Sequence, residues 1–120
     1  IFLTGSGYRL VRCPVGLGVL DVPALFALLD AHAPHAYRQI ELAALYGRHI
    51  RLLEDDWWQG FPPCDTRQLL PALRLAFRNA RPRDEDWRTP WERGDDAAMP
   101  TYEEDEVLES IAYLKPLASV

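Results

Sequence analysis

Cysteine, methionine, lysine and histidine are all scarce in this chain: two Cys, one Met, a single lysine at Lys115 and three His among 120 residues. Cys13 and Cys64 lie far apart and form no C-x-x-C unit, which excludes a dithiol redox motif and the paired-cysteine zinc folds. The two are expected as buried thiols; a Cys13–Cys64 disulfide is the alternative. His32, His35 and His49 give no H-E-x-x-H pattern, and Pro34 between the first two spoils a helical metal pair. No calcium loop of the D-x-D-x-D-G type occurs, so neither a metal nor a cofactor is expected. Gly5-Ser6-Gly7 and Gly16-Leu17-Gly18 complete no phosphate-loop pattern and read as turns. No apolar run approaches the roughly 18 residues of a membrane span, and no charged, then apolar leader is visible. A reducing cytoplasm is therefore the expected compartment, with no membrane partner. Thirteen basic residues face eighteen acidic ones, a net charge of −5, which makes nucleic acid an unfavourable partner.

What is present suits one globular domain spanning 1–120. At 48% hydrophobic and 26% charged, the chain is too apolar for disorder. The expected class is α+β, mainly α: an N-terminal β-hairpin, then about four helices packed as a small bundle. Residues 1–20 read as hairpin and turn, 21–80 as the helical core, 81–100 as a polar Trp/Pro loop and 101–116 as a C-terminal helix.

Ile1 to Thr4 and Tyr8 to Cys13 are β-prone on either side of the glycine turn. Asp21 offers an N-cap to a helix that buries Val22, Leu25, Phe26, Leu28 and Leu29 and ends near His32. From Ala36, the spacing of Leu42, Tyr46, Ile50, Leu53 and Trp57 predicts a second long helix, with a strand over His49–Leu53 as the alternative. Asp65 and Gln68 resemble a capping box, and Leu69, Leu70, Leu73, Ala76 and Phe77 form the next apolar face. Pro71 argues for a helix start near Leu70. Thr101 and Glu104 suggest a capping box for the last helix, whose core face is Val107, Leu108, Ile111 and Leu114.

Charge is unevenly spread. Asp65 to Arg83 carries five arginines and one acid, +4; Asp84 to Glu109 carries eleven acids and two arginines, −9. Arg67, Arg74, Arg78 and Arg81 make one stripe, suited to self-pairing with the acidic segment or to phosphate. Tryptophans sit among the acids: Trp57 and Trp58 after Glu54-Asp55-Asp56, Trp87 and Trp91 beside Asp84-Glu85-Asp86. Aromatic anchors with steering carboxylates suit a basic protein partner. The expected binding residues are Trp87, Trp91, Asp84, Glu85, Asp86, Trp57 and Trp58.

Nucleophilic chemistry would place Cys64 near a helix start, with His49 as a base brought in by folding. The Ala98-Met99-Pro100 stretch, followed by Tyr102 to Val107 and Ile111-Ala112-Tyr113-Leu114-Lys115, resembles the C-terminal part of class I cytochromes c. In that family the Met of a Met-Pro pair is an axial haem ligand; no residue of this chain is carried over as a site on that likeness. The chain departs from that family in lacking C-x-x-C-H, so covalent haem attachment is excluded.

The expected function is a non-catalytic acidic protein-binding module, of inhibitor, immunity or assembly-adaptor type, with homo-oligomerisation a possible outcome. The alternative is an enzyme or cofactor protein, including a degenerate cytochrome c-like domain, with Cys64, His49 and Met99 as first candidates.

Overall fold

The computed structural model describes residues 1–42, 45–63 and 65–118. Its elements are a small three-stranded sheet and three α-helices, an α+β arrangement with one helix fewer than the periodicity suggests. Strands β1 (Phe2–Thr4), β2 (Gly7–Leu10) and β3 (Arg48–Ile50) run antiparallel in that order. Phe2 faces Arg9, and Arg9 faces His49, so these three side chains share one face of the sheet. Among the described residues, no helix is long and apolar enough to cross a membrane.

Backbone packing divides the chain into two compact units. The first, Ile1–Val11 with Tyr46–Arg88, holds the sheet and helix α2 (Thr66–Arg78). Phe2 and Ala76 are its buried apolar residues. The segment after α2 returns to the first strand, where the Arg81 amide donates to the Ile1 carbonyl at 2.8 Å. Gly7 is required where it stands. Its φ is +152°, and a Cβ there would lie 2.1 Å from the Ile50 carbonyl oxygen across the ladder.

The second long helix read from Ala36 to Trp57 does not form. Residues 36–42 are irregular, β3 occupies 48–50, and only Asp55–Trp58 closes a short 3-10 turn. Gly47 is buried, and a Cβ there would lie 3.3 Å from Val11 Cγ2. Beyond it the chain satisfies its amides on the open edge of β2, and sheet pairing overrides a helical spacing that glycine had already weakened.

Helix α2 confirms the Asp65 capping box, with the Asp65 side chain accepting from Arg67 N at 2.8 Å and Gln68 Oε1 accepting from Asp65 N at 3.1 Å. It does not wait for Leu70, because the cap is strong enough to carry the helix through Pro71.

The second unit, Arg12–Leu45 with Thr89–Val120, contains α1 (Val22–His32) and α3 (Met99–Leu114). Asp21 caps α1 as expected, accepting from Ala24 N at 3.0 Å. The 81–100 stretch is less shapeless than its composition suggests, since Trp91–Arg93 and Asp96–Ala98 form 3-10 turns. Thr89 and Glu92 exchange hydrogen bonds at 3.2 Å in capping-box fashion, and Thr89 Oγ1 also donates to the Leu45 carbonyl at 2.8 Å. The Thr101/Glu104 cap is absent. Helix α3 begins at Met99, without a side-chain cap, because Pro100 in its first turn and the preceding 3-10 turn set the start two residues earlier.

The buried face of α3 is not the expected one. Glu106 and Ser110 are 6% and 0% exposed, whereas Val107, Leu108 and Ile111 are 37%, 56% and 45% exposed. Ser110 explains the rotation. Its hydroxyl donates to the Glu106 carbonyl at 2.7 Å and accepts from Val15 N at 2.9 Å, fastening the 13–16 loop to the helix. Cys13, on that loop, is exposed rather than buried, and Cys64 lies outside the described residues.

Candidate functional site

The acid and tryptophan clusters of the first unit are tied up locally. Arg51 pairs with Glu54 and with Asp56 (3.2 Å), and its guanidinium lies 5.9 Å from the Trp57 ring. Trp57 stacks on Phe61 and Trp58 meets the same ring edge-on, both at 6.1 Å. Trp58 Nε1 donates to the Leu52 carbonyl at 3.0 Å. Trp87 is half-buried beneath the Arg9 guanidinium at 4.1 Å. Glu85 is held by Arg81 at 2.7 Å, which pulls its carboxyl below the usual range, and Asp86 is held by Arg88 at 3.0 Å. Asp84 is exposed. Two arginines of the expected stripe thus find acids nearby, Arg81 on Glu85 and Arg67 on Asp65.

In the second unit, Trp91 is 48% exposed. Helix α3 carries Glu103, Glu104, Asp105, Glu106 and Glu109 and no basic residue. Among the described residues, none of these carboxylates joins an ion pair. Two surfaces result. One is a cleft of about 350 Å³ between the helix and the 12–14 segment, lined by Arg12, Cys13, Pro14, Tyr102, Asp105, Glu106 and Glu109. Burial, together with the neighbouring Glu106 carboxylate, pushes the Tyr102 phenol there up to about 12. The other is the outer stripe, where Glu104, Leu108 and Ile111 follow at i, i+4 and i+7 beside Val107. Met99 opens α3 half-buried. Among the described residues, no three His, Cys, Asp or Glu side chains gather as a metal set.

His49 has partners that its sequence surroundings do not suggest. Its Nε2 lies 3.0 Å from Thr4 Oγ1 and 3.1 Å from Ser6 Oγ. The sheet register makes the meeting, because β3 lies along β2 and the turn from β1 into β2 carries Ser6. Burial, then the positive charge of Arg9, holds the ring below its ordinary 6.5, with Arg51 adding to the effect and Glu54 opposing it. No local motif could have revealed this cluster, since its members are 43 and 45 residues apart.

Comparison with family models, with curated proteins and with solved structures finds no match to this chain, so its own residues carry the functional reading.

Proposed function

We propose that the protein is a recognition module for a basic, amphipathic protein segment, engaged through the outer stripe of α3. The observation that carries this reading is the inverted helix. It turns a glutamate and a serine inward and leaves Val107, Leu108 and Ile111 exposed among the helix's carboxylates, none of which joins an ion pair among the described residues. Apolar side chains ringed by acids supply both parts of such an interface: anchors that lose water on binding, and charges that steer a cationic partner and reject an anionic one. Trp91, in the same compact unit, belongs to the proposed surface. Trp57, Trp58 and Trp87, with Glu85 and Asp86, have partners within the first unit, so α3 takes the larger share. An inhibitor, an immunity protein or an adaptor could each work through such a face.

The test is calorimetry with two synthetic helical peptides, one built of Arg and Leu and one of Glu and Leu. The protein is expected to bind the first and not the second, more weakly as salt rises. Leu108→Ala should weaken binding about tenfold, the size of a typical anchor loss of ~1.4 kcal/mol. Glu85→Gln should leave binding unchanged. Equal affinity for both peptides, or indifference to Leu108→Ala, would overturn the reading.

A further inference from the structure

We propose that Ser6 is a nucleophile and His49 its general base, a dyad that accepts an acyl group from an activated ester. The proposal is independent of the α3 surface and lies wholly within the first unit.

Three observations place the dyad. Ser6 Oγ is within hydrogen-bond reach of His49 Nε2, at 3.1 Å. Ser6 sits in a turn held at several points: its carbonyl accepts from Leu53 N at 3.0 Å, and Gly7 beside it is locked against Ile50. Such a turn presents its hydroxyl in one position, as a nucleophile must be presented. Finally, Arg9 stands opposite His49 in the ladder. Its positive charge favours negative charge developing on the serine oxygen and on the tetrahedral oxyanion.

In the tautomer with its proton on Nδ1, Nε2 accepts from both hydroxyls. The groups facing the ring are Thr4 and Ser6 from β1 and its turn, Arg9 from β2, and Arg51 and Glu54 beyond β3. Burial and the charge of Arg9 favour the neutral imidazole, the form that can take a proton. In the reaction, the Ser6 oxygen bonds to the acyl carbon as its proton passes to Nε2. The bond to the leaving alkoxide then breaks, and Nε2 returns the proton to that oxygen. Water attacks the acyl-serine in the same manner, releasing the acid and restoring the dyad. Among the described residues, no carboxylate hydrogen-bonds to the ring, so His49 works without the orienting acid of a triad. The reaction therefore suits activated esters rather than amides.

A fluorophosphonate probe tests the dyad directly, because the serine oxygen displaces fluoride from phosphorus, breaking the P–F bond as Nε2 takes the proton. Intact mass and peptide mapping should show one adduct per chain, on Ser6. Ser6→Ala should remove it, and His49→Gln should slow it by about a hundredfold. In the wild-type protein the labelling rate should be level through neutral pH and fall below pH 6.5 as the ring protonates, a readout that does not depend on any variant folding. Absence of a Ser6 adduct, a Ser6 adduct formed equally fast in folded His49→Gln, or a rate level through the acid range would each overturn the proposal.

Discussion

Tyr102 and Ser110 show how single side chains turn α3 around. Glu106 is buried one helical turn from Tyr102, and burial with that neighbouring acid raises the phenol. The consequence is an alkaline dependence of stability. An exposed tyrosine ionises near 10.0, whereas Tyr102 holds its proton to about 12. The contribution is therefore complete below pH 10 and is lost as pH rises from 10 towards 12, because the unfolded chain releases the proton first. Tyr102→Phe should flatten that part of the profile, and denaturant unfolding across the range checks it; an unchanged slope would contradict the assignment. None of this was legible from residues 102–110 alone. A Tyr-x-x-x-Glu spacing places both groups on one face, but the choice between water and interior came from Val15, far away in the chain, whose amide claims Ser110.

Among the elements, α2 is the best case for local reading and α3 the worst. Asp65 and Gln68 form the reciprocal cap that their spacing implies, and Asp65, with Arg67 held against it, stays below the usual carboxylate range. Pro71 is the one conflict inside the helix. Its missing N–H leaves the Arg67 carbonyl without its helical donor, and its ring crowds the preceding turn. Pro71 is exposed, so Pro71→Ala should restore that bond without opening a cavity. A gain of up to about 3 kcal/mol is expected, read as a higher Tm. An unchanged or lower Tm would mean that the ring is needed where it is. The segment from Ala36 to Trp57 failed as a helix for the opposite reason. Its spacing was helical, but Gly47 and the open edge of β2 offered its backbone a ladder instead.

At the scale of the whole molecule, a net charge of −5 acts on every encounter. At low salt that charge opposes the approach of a second copy, and with it any pairing of the exposed Val107, Leu108 and Ile111. At 1 M salt the Debye length shrinks to about 3 Å and that protection is gone. On the proposed reading, salt should therefore act in opposite directions on two associations through α3, weakening the hold on a cationic peptide and promoting self-association. Light scattering should show a larger mean mass in high salt, and Leu108→Glu should suppress the increase; a mass independent of salt would argue against an adhesive α3.

The amino-acid order by itself determined the caps of α1 and α2, the first hairpin, the acidic character of the last helix and the lack of recognised motifs. These are matters of neighbours within a few residues, where turn chemistry and capping act. Only tertiary structure decided which face of α3 meets the interior, that 48–50 joins a sheet, and that Ser6, Thr4 and His49 share a hydrogen-bonding centre. Each of those outcomes depends on a partner remote in the chain: the Val15 amide for Ser110, strand β2 for β3, and two hydroxyls 43 and 45 residues away for His49, and no local pattern encodes such a pairing.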